Sequence, residues 1–63
     1  MTKKEFLQTI EDFLSRTGMS ASTFGMTTIG SPTLVYDLRK GRECREDTQN
    51  RVLNFINTYK EEK

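Results

Sequence analysis

The sequence predicts an all-α protein, a small orthogonal bundle of four helices, on three observations. Apolar residues recur three and four positions apart in successive segments, the spacing that gathers side chains on one helix face. The segments are bounded by residues that start or stop helices, with Thr2, Ser20 and Ser31 as starts and Gly18 and Gly41 as stops. The turns between them are only a few residues long, which keeps neighbouring helices in contact. Helices are expected over about 2–17, 20–28, 32–40 and 46–60, within one domain spanning 1–63 that has no repeat, linker or low-complexity stretch.

Thr2-Lys3-Lys4-Glu5 is a capping box, in which hydroxyl and carboxylate each satisfy an amide at the helix start. Phe6, Leu7, Ile10, Phe13 and Leu14 then form one apolar face, and Gly18 supplies the stop. Ser20 restarts the chain as an N-cap, with Met19 and Phe24 placed to form a hydrophobic staple. The second helix contains Ser22, Thr23, Gly25, Thr27 and Thr28, all mediocre or poor helix formers, so tertiary packing has to hold it. Gly25 in mid-helix implies that another helix crosses too closely for a side chain. The third helix is short. Ser31 is its expected N-cap, Pro32 its first position and Gly41 its left-handed end, while Leu34, Val35 and Leu38 make its inner stripe. The run Thr33-Leu34-Val35-Tyr36 has strand propensity, which those caps and that stripe outvote. The last helix turns Val52, Leu53, Ile56 and Tyr59 inward with Phe55 at the margin, and Lys60 to Lys63 form a charged tail expected to fray.

Composition excludes several function classes. A chain of 63 residues buries only roughly 60% of its unfolded surface, too little for an enzyme cleft, and it holds no histidine, no paired carboxylates on an apolar face and no phosphate-cradling glycine loop. No enzyme activity is expected. One cysteine, Cys44, permits no internal disulfide, and without histidine no zinc cluster forms, so neither metal nor cofactor is expected. Cys44 reads as a small half-buried loop residue, with redox chemistry as the minor alternative. The apolar content is 33% and mean hydropathy is -0.70, with no stretch of membrane-spanning length and no signal peptide, so a cytoplasmic protein is expected. Net charge is +1, short of the basic excess of a non-specific nucleic-acid binder. The excess is local: residues 31–45 carry four cations against two anions. A basic patch on a neutral domain fits a binder that touches few phosphates, and fits a solvated loop equally well.

Between Ser31 and Gly41, the face opposite Leu34, Val35 and Leu38 carries Thr33, Tyr36, Asp37 and Lys40, with Arg39 and Arg42 beside them. A hydroxyl, a phenol and cations suit nucleic-acid edges and phosphates. From Met19 to Gly41 the chain reads MSASTFGMTTIGSPTLVYDLRKG. This segment resembles the helix-turn-helix of the phage-repressor and Cro-like (XRE-type) DNA-binding family, whose fold is the lambda-repressor-like bundle. Gly25 takes the place of the family's small mid-helix residue, Val35 and Leu38 take the two core positions of the recognition helix, and Gly41 takes its terminal glycine. The chain departs from the family in the turn, where glycine comes one residue later, at Gly30, and is followed by Pro32.

The resemblance implies a sequence-specific, double-stranded DNA-binding transcriptional regulator, most simply a phage-like repressor associated with the nucleoid. Helix 32–40 would enter the major groove. Pro32, Thr33 and Tyr36 take base-facing positions, flanked by Asp37 and Lys40. Ser20, Ser22 and Ser31 take phosphate positions at helix starts, and Arg39, Arg42 and Arg45 are further phosphate contacts. A palindromic operator would require a homodimer with recognition helices about 34 Å apart, joined through the last helix at Phe55 and Tyr59. Each residue keeps a plainer reading: Thr33 and Tyr36 as ordinary surface, Arg39 paired with Glu43 or Asp47 along the last helix, Phe55 and Tyr59 as core. The alternative function is a helical protein-interaction module, such as an antitoxin-like or anti-factor polypeptide.

Overall fold

The computed structural model describes residues 2–59; the expected charged tail at Lys60 to Lys63 lies outside them. Four helices follow in order: α1 (Lys3–Thr17), α2 (Ala21–Ile29), α3 (Leu34–Arg39) and α4 (Glu46–Thr58), with no strand among the described residues.

The ends of α1 form as its residues dictate. The Glu5 amide donates to Thr2 Oγ1 at 3.1 Å while the Thr2 amide donates to Glu5 Oε1 at 2.8 Å, completing the capping box. At the other end the amide of Gly18, with φ of 75°, donates to the Leu14 carbonyl at 2.9 Å. Phe6, Ile10, Phe13 and Leu14 are the buried face.

Helix α2 is capped by Ser20, whose hydroxyl accepts from the Thr23 amide at 3.1 Å. Its poor propensity is offset by burial of Phe24, fully enclosed between α1 and α4 aromatics. Gly25 is buried where the turn leaving α2 and the first residue of α3 close on it. A Cβ there would collide with the Ser31 carbonyl oxygen and stand 3.2 Å from the Ser31 carbonyl carbon and 3.3 Å from Leu34 Cβ. The turn leaving α2 folds back onto its own helix at this point, and the Ser31 amide donates to the Gly25 carbonyl at 3.1 Å.

That return path changes the start of the third helix. Neither Ser31 nor Pro32 lies in the expected position: α3 begins at Leu34, with Thr33 at the N-cap and no side-chain cap bond. The Ser31 backbone is committed to closing α2, so its carbonyl receives the Leu34 amide at 3.4 Å across a turn with Pro32 and Thr33 at the centre. Proline suits that position because it presets φ and brings no amide to satisfy. The Ser31 hydroxyl instead stands 3.3 Å from Thr33 Oγ1. The two serines should therefore differ. Ser20→Ala is expected to cost about 1 kcal/mol, lowering the melting temperature by roughly 4–8 °C, whereas Ser31→Ala should leave a thermal melt followed by circular dichroism almost unchanged.

Helix α3 ends as expected at a left-handed glycine. Gly41 has φ of 98°, its amide donates to the Leu38 carbonyl at 3.0 Å, and the Arg42 amide donates to the Asp37 carbonyl at 3.1 Å. These two bonds are the Schellman pair. Helix α4 starts at Glu46 after Arg45, with Glu46 and Asp47 against the positive end of the helix dipole. It ends at Thr58, and Tyr59 is extended.

The core is Phe6, Ile10, Phe13, Leu14, Phe24, Leu34, Val35, Leu38 and Val52. Helix α3, only 6 residues long, is held by the three of these it contributes. Phe13 belongs to an aromatic group, with ring centroids 5.5 Å from Phe24, 5.8 Å from Phe55 and 5.1 Å from Tyr59. Among the described residues no helix is long and apolar enough to cross a membrane.

Candidate nucleic-acid interface

The outer arc of the turn and of α3 carries Pro32, Thr33, Tyr36 and Lys40, all exposed. One helical period places Thr33, Tyr36 and Lys40 together while Leu34, Val35 and Leu38 point inward. Thr33 Oγ1 donates to Asp37 Oδ2 at 3.3 Å, so hydroxyl and carboxylate form a local pair one turn apart. Asp37 is half-buried. It leans to the side of α3 facing the loop between α3 and α4, where it lines a cleft of about 320 Å³ with Leu34, Leu38, Arg42, Cys44 and Arg45.

The two edges of α3 are held by α1. On one, Arg39 Nε and Nη2 donate to Glu11 Oε2 and Oε1 at 2.7 and 2.8 Å, a bidentate pair. At the C-terminal end of α3, Lys3 Nζ donates to the Gly41 carbonyl at 2.9 Å, placing a cation where the helix leaves its acceptors. Sequence reasoning missed both anchors. The sequence suggests Arg39 as a phosphate contact or a partner of Glu43 or Asp47; the structure pairs it with Glu11 on another helix. No sequence spacing signals a contact between residues 28 positions apart.

Electrostatics follow this geometry. The Arg39 hydrogen bonds hold the Glu11 carboxyl below its ordinary range, and Glu11 in turn raises Arg39. A carboxylate lowered in the folded state contributes stability present above its unfolded pKa and lost as pH falls through the folded one. The expected outcome is that wild type melts a few degrees above Glu11→Gln at neutral pH and that the gap closes on acidification below the ordinary carboxylate range. The effect is small because both side chains remain partly exposed, at 44% and 32%. Burial, followed by the nearby Asp37 charge, raises the Cys44 thiol. A thiol held protonated is a poor nucleophile, which favours the plain reading of Cys44 as a packing residue.

The remaining positions are distributed as follows. Ser20 and Ser22 are exposed at the start of α2, with the Ser20 hydroxyl already engaged by the Thr23 amide and donating to Thr23 Oγ1 at 2.8 Å. Ser31 is half-buried. Arg42 and Arg45 are exposed and stand with Asp37 around the cleft. Phe55 is half-buried against Phe13 and Phe24, which makes it part of the core edge; Tyr59 is 37% exposed beside it. Among the described residues no group of three or more histidine, cysteine, aspartate or glutamate side chains could hold a metal ion.

Fold and site together define a small all-helical bundle in which a very short third helix is displayed by its neighbours. No protein-family model, no curated protein and no solved structure matches the chain.

Proposed function

We propose that the chain is a sequence-specific, double-stranded DNA-binding transcriptional regulator acting as a repressor, with α3 and the turn before it entering the major groove. The observation that carries this reading is the outer arc of α3. Thr33 and Tyr36 stand exposed side by side, Pro32 precedes them and Lys40 follows, on a helix whose inner side is locked into the core. A hydroxyl and a phenol offer hydrogen bonds and apolar surface to base edges, and Lys40, Arg42 and Arg45 offer charge to phosphates. Asp37 serves this arrangement by accepting from Thr33, and Arg39 by bonding to α1, so neither is needed as a direct contact. Ser20 and Ser22 present the start of α2 to a phosphate. A homodimer on a palindromic site is the simplest stoichiometry, with Tyr59 at the edge of α4 as the candidate contact.

Selection of bound sequences from a random duplex library tests the proposal directly. A reproducible consensus is expected, symmetric if the protein binds as a dimer. Thr33→Ala should then change the preferred bases, while Arg42→Ala should weaken binding to all duplexes and flatten the dependence of log affinity on log salt by about one unit. Failure to enrich any sequence at low salt would sink the reading. The near-neutral net charge of +1 favours a second reading, a helical protein-interaction module. On adding duplex DNA, amide shifts at Ser22, Thr33, Tyr36 and Arg42 support the first; shifts confined to α4 on adding a protein partner support the second.

A further inference from the structure

The exposed Tyr36 stands beside a guanidinium that is itself fixed from another helix. Arg39 Cζ lies 5.7 Å from the Tyr36 ring centroid, and the same guanidinium donates two hydrogen bonds to Glu11. Glu11 follows the fully buried Ile10 on α1, so its backbone is anchored to the core independently of α3. An arginine on a surface helix normally samples many rotamers, and a single exposed cation–π contact restrains it weakly. Two parallel hydrogen bonds fix the guanidinium plane, and the plane then gives the ring a defined neighbour.

We propose that Glu11 is a positioning residue, which through Arg39 holds the Tyr36 ring in the orientation it presents on the outer arc of α3 and keeps Arg39 from engaging phosphate. The second half rests on the DNA-binding reading; the first does not. The consequence is an exchange between two kinds of binding. With Glu11 neutralised, the ring loses its fixed neighbour and base discrimination falls, while the released Arg39 adds one phosphate contact. Loss of a negative charge would then strengthen sequence-independent binding and weaken selectivity together.

The test begins on the protein alone. In Glu11→Gln, the Tyr36 ring signals in an NMR spectrum should move toward averaged, solvent-like values, while those of Tyr59, packed on Phe13, stay in place. In duplex binding, the ratio of affinities for preferred over scrambled sequence should fall about two- to tenfold, the range expected when one ordered side chain must be immobilised on binding. The salt dependence should steepen by about 0.9 in slope, one phosphate more. In a Tyr36→Ala background, Glu11→Gln should leave the affinity ratio unchanged and still steepen the slope. Unmoved Tyr36 ring signals in Glu11→Gln overturn the proposal, as does an equal loss of the affinity ratio with and without Tyr36, which would assign Glu11 to folding alone. If wild type prefers no duplex, the DNA-binding reading fails, and the ring signals still decide whether Glu11 positions Tyr36.

Discussion

Phe13→Ala is expected to remove the cooperative thermal transition or to shift it down by at least about 12 °C, reading a loss of roughly 3 kcal/mol or more at about 4–8 °C per kcal/mol. Phe13 is 1% exposed and its ring meets those of Phe24 on α2, Phe55 on α4 and Tyr59 just beyond α4. The Arg16 guanidinium also lies 5.5 Å from its ring centroid. Deleting a buried phenyl ring costs about 3–5 kcal/mol in transfer and cavity free energy. A domain this small has a total stability of only roughly 3–9 kcal/mol, at about 0.05–0.15 kcal/mol per residue. The substitution therefore removes a third to all of the margin. A circular dichroism melt within a few degrees of wild type would show that the aromatic group is not the keystone its geometry indicates. Phe13→Leu, which keeps most of the volume, should fall between the two.

Gly25→Ala should destabilise the protein by about 2–3 kcal/mol, although the same change at an ordinary helix position stabilises by up to about 1 kcal/mol. The sign is the test. The added methyl would meet the Ser31 carbonyl oxygen, a backbone atom that cannot rotate away, with Leu34 Cβ closing the other side. Ser31 is itself tied to α2 through its bond to the Gly25 carbonyl. Relief requires the turn at 30–33 to move outward, which pulls Leu34 from the core and carries Thr33 and Tyr36 with it. A chemical denaturation midpoint above that of wild type would refute this account. A lowered midpoint together with shifted amide resonances across 31–36 is the expected result.

Most of the helical architecture was legible because its causes are local. The capping box at Thr2 and Glu5, the cap at Ser20 and the stop at Gly41 are interactions within six residues of chain, and each forms where the sequence places it. The apolar spacing of α1 named its four buried residues. The start of α3 departs from that expectation for a physical reason. Ser31 and Pro32 carry the composition of a helix start, yet the cap chemistry of Ser31 lost to the need to close α2, and the helix began two residues later. Phe55, placed at the margin by its spacing, found two phenyl rings and became part of the core edge.

The candidate site divides along the same line. The sequence alone places Thr33, Tyr36 and Lys40 on the outer arc of α3, because Leu34, Val35 and Leu38 commit the opposite face to the interior, whereas Asp37, expected with them, is half-buried at the cleft. The sequence also determines the hydroxyl, phenol and cation chemistry offered on that arc. How that arc is held follows from contacts between helices. The pairing of Arg39 with Glu11 and of Lys3 with the Gly41 carbonyl joins residues 28 and 38 positions apart. Such contacts depend on the relative placement of helix axes, a quantity fixed by the packing of the whole core and carried by no short stretch of sequence.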